Sequence, residues 1–280
     1  MYQAKMAGRN GIRFYDPDQQ TALKARTELE DELRQAIVKR ELRLHYQIHV
    51  DDLLRPLGAE ALLRLEHPKR GLVSPGDFIV ITEEAGLIVP IGLWVLQTAC
   101  ALLESWQHHA STRNLTLAIN VSAKQFRQAD FVAQVTRLLQ ESGATPSRLK
   151  LELTESTVLE NVEDTITKMH ELKRIGVSFS MDDFGTGYSS LQYLKQLPLD
   201  QIKIDQSFVR DIIVNPNDAA IVKTIIAMTE VLGLSVIAEG VETEAQREFL
   251  ERHGCRAFQG YLFSKPIPLE QFEDLLGKRT

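Results

Sequence analysis

From residue 41 onward, short apolar runs alternate along the chain with longer amphipathic stretches. Eight runs have the length and composition of strands: Leu42–Gln47, Gly58–Leu63, Leu115–Asn120, Leu149–Leu153, Val177–Asp182, Gln201–Ile204, Leu234–Glu239 and Arg256–Gln259. Between them, apolar residues recur at helical spacing over Pro75–Ala85, Ile91–His108, Ala123–Glu141, Val162–Lys173, Leu191–Leu197, Asp218–Leu232 and Glu244–Arg252, and Leu269–Leu276 closes the chain. Eight strands with intervening helices in about 240 residues match the size of a (β/α)8 barrel. One link breaks the rule. Only residues 48–57 separate the first two strands, whereas a parallel crossover takes a dozen or more residues. The expected fold is therefore α/β, a (β/α)8 TIM-type barrel with an antiparallel first strand. An open doubly wound sheet would gather its polar residues at one switch point. Here they end strands throughout the set.

The first 40 residues differ. Arg9-Asn10-Gly11 signals a turn, and Ile12 to Tyr15 reads as a short strand. Residues 18–40 read as a helix, with Leu29, Leu33 and Ile37 at four-residue steps. It is expected to serve as a linker or signalling helix, or to pack on the domain behind it.

The polar residues that end the strands carry the candidate chemistry. Val177–Asp182 runs into two adjacent carboxylates, Asp182 and Asp183, and then into a glycine loop with Gly185 and Gly187. Neighbouring negative charges repel, and a fold tolerates them most readily where cations offset the repulsion. The pattern recurs. Glu60, Asn120, Glu152, Lys203, Asp205, Glu239, Glu242 and Gln259 all lie in or just after strand candidates. In a barrel, the C-terminal strand ends build the site. Carboxylates with one amide suit Mg²⁺ or Mn²⁺, and the absence of His and Cys from the set disfavours zinc. Two ions about 4 Å apart can share a water, lower its pKa and clamp a phosphoryl group. Lys203 is suited to hold such a water. Each residue alone also has a structural reading, as a cap, a surface charge or a salt-bridge partner. His108-His109 reads as a solvated helix end, Trp94 and Trp106 as packing residues, and Lys168 to Arg174 as a solvated face.

Composition narrows the options. The chain has 280 residues, 44% hydrophobic and 25% charged, with a formal net charge of −6. That balance argues against a nucleic acid polymer as partner, so a phosphate ester must be held by local cations or metals. Cys100 and Cys255 lack metal-type spacing, which points to a reduced, cytoplasmic setting. No run approaches the roughly 18 apolar residues of a membrane span, and the start lacks a signal-peptide core. A membrane tether in a longer parent protein stays open.

Taken together, the motifs resemble the EAL-type cyclic di-GMP phosphodiesterases of bacteria, from about Glu41 to the end. The resemblance is carried by Glu60-Ala61-Leu62, Asn120-Val121-Ser122, Glu152-Leu153-Thr154-Glu155-Ser156, Asp182-Asp183-Phe184-Gly185-Thr186-Gly187-Tyr188, Ile202-Lys203-Ile204-Asp205, Ala238-Glu239-Gly240-Val241-Glu242 and Gln259-Gly260-Tyr261. It implies metal-dependent hydrolysis of cyclic di-GMP to linear pGpG, in a barrel whose first strand is antiparallel. By this analogy Glu60, Asn120, Glu152 and Asp182 hold one Mg²⁺ or Mn²⁺ ion. Asp182 bridges to a second ion bound by Asp183. Glu239 orients or deprotonates the attacking water within this metal site, and Lys203 holds that water. Glu60, Lys203 and Glu239 are thus the expected catalytic set. Gln47, Leu62, Arg64, Asp205, Glu242 and Gln259 are expected to contact substrate. Glu155 is expected to anchor the loop from Asp183 to Ser190. Ca²⁺ is expected to inhibit, and a homodimer is expected through the loop and helix after Asp183.

Residues 1–17 resemble the end of a GGDEF-type cyclase domain, which makes residues 18–40 a linker helix and residues 41–280 the barrel. The chain would then be a piece of a tandem protein, without cyclase activity of its own, with any membrane tether lying in other parts of its parent. Two stretches depart from the family pattern. Ile48-His49 stands where Pro usually follows Tyr-Gln, and Leu65-Glu66 stands where Trp-Arg is common. A different class of function also fits: a catalytically weak receptor that signals by binding cyclic di-GMP. A metal-dependent barrel lyase acting on a carboxylate is a third reading.

Overall fold

The structure, a computed structural model, describes residues 29–37, 39, 41–68, 70–159, 161–185 and 191–278. Eight strands close a barrel: β1 (Leu42–Asp51), β2 (Pro56–His67), β4 (Thr116–Asn120), β5 (Leu149–Thr154), β6 (Ser178–Phe184), β7 (Gln201–Ile204), β8 (Ser235–Ala238) and β9 (Ala257–Phe258). β1 is antiparallel to both of its barrel neighbours, β2 and β9, and the remaining barrel pairings are parallel. The short link explains this directly. β1 and β2 form a hairpin whose tip, residues 52–55, is too short for a crossover. The Asp51 carboxylate builds the tip, accepting the Leu53 and Arg55 amides and pairing with the Arg55 guanidinium at 2.7 Å.

Alternation along the strands explains the site's placement. Leu149, Leu151 and Leu153 of β5 face the helices and are fully buried. Their neighbours Lys150 and Glu152 face the barrel interior, where Lys150 donates to Gln201 of β7. Polar residues in these strands therefore converge inside the barrel.

Several elements differ from expectation. A ninth strand, β3 (Gly71–Val73), extends the sheet outside the barrel by pairing with the end of β2. Ala123–Glu141 is two helices, Ala123–Phe126 and Phe131–Ser142. The Lys168 ammonium lies in the break and donates to the carbonyls of Phe126 and Gln128. Lys168 is thus buried, correcting its reading as part of a solvated face. Short helices Glu155–Leu159 and Gln206–Arg210 were not expected. Ile88–Gln107 is long and apolar enough to cross a membrane, which corrects the sequence reading. Half of that stretch is buried here, and Trp106 at its end stacks on Phe272 of the closing helix Leu269–Gly277. It is a packing helix of the barrel.

Residues 29–37 are helical, with Leu29, Leu33 and Ala36 buried. Glu32 on this helix lies 3.3 Å from His67 and from Arg70, beside the β2–β3 hairpin. The expected strand Ile12–Tyr15, residues 18–28 of the linker helix, and residues 186–190 lie outside the described residues.

Candidate active site

The two adjacent aspartates sit on a β-bulge. Met181 pairs with Ile202 and Phe184 with Ile204, so Asp182 and Asp183 together oppose the single residue Lys203. Asp183 takes a left-handed conformation, φ 54°, uncommon for a residue other than glycine, although Asp tolerates it. Its amide donates to Asp182 Oδ1 at 3.0 Å. The bulge gives the two carboxylates different positions. Asp182 turns toward the barrel axis, 3.3 Å from the Lys203 ammonium, while Asp183 stays exposed.

Lys203 is the centre of the site. It is fully buried, and its Nζ lies 2.5 Å from Glu152, 2.5 Å from Glu239, 3.3 Å from Asp182 and 3.4 Å from Glu60. β2, β5, β6 and the residue just after β8 deliver these carboxylates, and one ammonium cannot neutralise four. Burial, opposed by Lys203 and reinforced by Glu60 and Asp182, pushes the Glu152 carboxyl up to about 8. Burial and the same crowding raise Glu239 well above the carboxylate range. The surrounding carboxylates raise Lys203 against the effect of its burial. Asp183 is pushed up to about 6 by partial burial and by Asp182 and Asp205. Glu60 goes the other way. Its burial is outweighed by Lys203 and by hydrogen bonds from Gln259 and Asn120, which lower it.

Glu60 is the best-supported of the four. Asn120 Nδ2 donates to its Oε1 at 2.6 Å, and Gln259 Nε2 donates to its Oε2 at 2.7 Å. Gln259 Nε2 also donates to Gln47 Oε1, and Gln47 Nε2 donates to the Ser264 carbonyl. Glu60 is the fifth residue of the twelve-residue β2, inside the strand and not at its end.

His49 was missed as a member of this network. Its Nε2 lies 3.0 Å from Gln259 Oε1, and the ring is buried. Its position two residues after Gln47 was the available signal, since alternation puts both on one face. Burial pushes the His49 imidazole down to about 3. The folded protein thus keeps the ring neutral while the unfolded chain takes up a proton near 6.5. Stability from this group is present above 6.5 and is lost as pH falls toward 3, by at most about 1.4 kcal/mol per pH unit. Wild type should lose thermal stability between pH 6.5 and 4.5 more steeply than His49→Gln, as read by melting curves. Equal slopes would contradict this.

The remaining residues are less tightly gathered. Leu62 and Arg64 follow Glu60 on the same face of β2, with Arg64 half-buried. The Asp205 carboxylate caps helix Gln206–Arg210, its Oδ1 accepting the Ser207 amide and hydroxyl. The Glu242 side chain is exposed at the start of helix Glu244–Arg252, outside the carboxylate cluster. Both Glu155 carboxylate oxygens are buried without a hydrogen-bond partner among the described residues. A cavity of about 440 Å³ opens beside Leu62, Asn120, Ser122, Thr154, Asp182 and Asp183. Gly240, at φ 63°, lets the chain after Glu239 pass Gln206, where a Cβ would lie 2.5 Å from that residue's own Cβ.

Among the described residues, no three His, Cys, Asp or Glu side chains form a ready-made metal cluster, and the Lys203 ammonium stands among the carboxylates. The donor set nevertheless fits divalent cations. It is all oxygen and carries more buried negative charge than Lys203 offsets. Glu152 Oε1 is buried without a hydrogen bond. Glu239 Oε1 is close to Lys203 but lacks hydrogen-bond geometry.

A closed α/β barrel with an acidic, lysine-centred mouth at the C-terminal strand ends defines a barrel enzyme architecture. Residues 30–266 match the EAL domain, and the chain belongs to that family. It is 45% identical over 272 residues to the bifunctional diguanylate cyclase/cyclic di-GMP phosphodiesterase MucR of Pseudomonas aeruginosa, covering 97% of this chain and 40% of MucR. It is 42% identical to the cyclic di-GMP phosphodiesterase NbdA of the same organism, covering 99% of this chain and 35% of NbdA. The chain thus spans about two fifths or less of these relatives. The solved PaMucR phosphodiesterase, in complex with c-di-GMP, superposes with a TM-score of 0.85 at 46% identity, covering 88% of this chain and 99% of that one.

Proposed function

We propose that this chain is a divalent-metal-dependent phosphodiesterase module that hydrolyses cyclic di-GMP to linear pGpG. The observation that carries the reading is the convergence of Glu60, Glu152, Asp182 and Glu239 on Lys203, with more buried negative charge than one ammonium balances. The relatives named as cyclic di-GMP phosphodiesterases supply the substrate.

Glu60, Asn120, Glu152 and Asp182 would hold one ion, and Asp183, with Asp182 shared and Glu239 adjacent, a second. When bound, such a pair lowers the pKa of a shared water and offsets charge on the phosphoryl oxygens. The protein's own groups do the rest. Lys203 donates to the attacking water and fixes its position. Glu239, beside Lys203 in the same cluster, accepts the water's proton. The water oxygen bonds to phosphorus, the bond between that phosphorus and one ribose oxygen breaks, and that oxygen takes up a proton from solvent. Arg64 is suited to a phosphate oxygen. Gln47, Leu62, Asp205, Glu242 and Gln259 contact the nucleotide.

The Leu65-Glu66 departure leaves this chemistry intact. Leu65 is buried away from the mouth, and exposed Glu66 pairs with Arg43 at 3.0 Å. By the same reading, residues 1–17 end a GGDEF-type domain, residues 18–40 link it to the barrel, and the module works in the cytoplasm as a homodimer. Glu155 anchors the loop after Asp183.

Incubation with cyclic di-GMP and Mg²⁺ or Mn²⁺ should yield pGpG, and replacing either ion by Ca²⁺ should stop the reaction while leaving nucleotide bound. Glu60→Ala should lose the activity. Wild type making no more product than Glu60→Ala would refute the assignment. Tight nucleotide binding without turnover in any divalent metal would make the chain a receptor instead.

A further inference from the structure

Gln47 and His49 share the face of β1 that lines the barrel, and Gln259 reaches them from the loop after β9. The Gln259 amide nitrogen, Nε2, lies 2.7 Å from Glu60 Oε2 and donates to it. That nitrogen has two protons. One points at Glu60 and the other at Gln47 Oε1. Gln259 Oε1 is then left as a buried acceptor, and the group facing it is His49 Nε2 at 3.0 Å.

We propose that His49 is a positioning residue: its ring N–H locks the Gln259 amide in the one orientation that donates to both Glu60 and Gln47. The ring therefore carries its proton on Nε2. Its cross-strand partner on β2, Gly58, has no side chain to take its place. Without the His49 donor, Gln259 Oε1 is buried and unpaired, and the amide is free to invert. Inversion would turn an oxygen against the Glu60 carboxylate. Inversion removes a donor from Glu60 and disturbs a nucleotide contact. The structural claim stands on the geometry alone, and its effect on binding rests on the phosphodiesterase reading.

The experiment compares wild type, His49→Leu, His49→Gln, Gln259→Leu and the His49→Leu/Gln259→Leu double variant. Crystal structures and calorimetric titrations with Mn²⁺, and with cyclic di-GMP in Ca²⁺, are the readouts. His49→Leu should displace or invert Gln259 and weaken nucleotide binding about tenfold, with Mn²⁺ affinity also reduced. His49→Gln, which restores an N–H donor, should remain within about threefold of wild type. In the Gln259→Leu background, His49→Leu should cost nothing further, because its effect passes through that amide. A His49→Leu structure in which Gln259 keeps both donations would overturn the inference, whatever the protein binds. So would additive losses in the double variant, or a His49→Gln as impaired as His49→Leu. Wild type that binds no cyclic di-GMP would instead refute the proposed function, leaving the crystallographic comparison to decide the role of His49.

Discussion

Lys203→Met is expected to abolish hydrolysis and to destabilise the metal-free protein by about 3–5 kcal/mol at pH 8, lowering its melting temperature by roughly 6 °C or more. Lys203 is the single cation lying between Glu60, Glu152, Asp182 and Glu239 among the described residues. Met is one heavy atom shorter than Lys and removes the charge together with its hydrogen-bond donors, so the four carboxylates lose their shared partner while little volume is vacated. The defect should depend on pH in a definite direction. Glu152 titrates near 8 in the fold and near 4.5 when unfolded, so between these values the folded protein binds the extra proton. Its contribution is fully present below about 4.5 and is lost as pH rises through about 8. Melting curves of the variant should therefore improve from pH 8 toward pH 5.5, as protons replace the missing ammonium. Mn²⁺ at pH 8 should recover part of the loss, because it supplies charge to the same oxygens. A metal-free Lys203→Met that melts within a degree or two of wild type at pH 8 would show that Lys203 does not balance this cluster.

Much of the barrel was legible because its strands repeat one rule. Leu149, Leu151 and Leu153 face the helices, while Lys150 and Glu152 face inward, and a two-residue period of that kind is visible along a sequence. The antiparallel first strand was legible for a geometric reason, since residues 48–57 are too few for a crossover. β3 was not, because three residues pairing with the end of a neighbouring strand leave almost no periodic signal. Helix Gln206–Arg210 was hidden in the sequence that follows β7, and Asp205 marks its start only once its carboxylate is seen to cap it.

The site divides in the same way. Residue types at strand ends announced an oxygen-rich, lysine-containing mouth. What they could not announce was which group occupies the centre. Lys203 was read as one member of a ring, and the fold makes it the point on which four carboxylates meet. His49 and Lys168 were misjudged because their partners are remote in sequence. Gln259 lies 210 residues from His49, and the Phe126 carbonyl lies 42 from Lys168. Local pattern shows which face a side chain occupies, but a hydrogen bond of this kind depends on closure of the whole barrel.

Asp183→Asn should leave the fold intact, keep nucleotide binding and one ion per chain, and reduce turnover about 10²- to 10³-fold, corresponding to roughly 3–4 kcal/mol of transition-state stabilisation. The argument begins with the backbone. Position 183 sits at φ 54° on the β6 bulge, and Asn adopts that conformation at least as readily as Asp. The amide bond from residue 183 to Asp182 Oδ1 uses only main chain at 183, so it survives. Removing the charge also relieves repulsion with Asp182 and Asp205, the neighbours that help to raise the Asp183 carboxyl to about 6. The metal-free melting temperature should therefore hold or rise. Asp182 keeps its place 3.3 Å from Lys203, within the cluster assigned to the first ion. The second ion loses its own carboxylate. Metal analysis together with calorimetry in Ca²⁺ and single-turnover assays in Mn²⁺ separates these effects. Near-normal turnover would show that Asp183 holds no catalytic ion. Loss of all metal would show that the two aspartates act as one unit, and the division of labour across the bulge would be wrong.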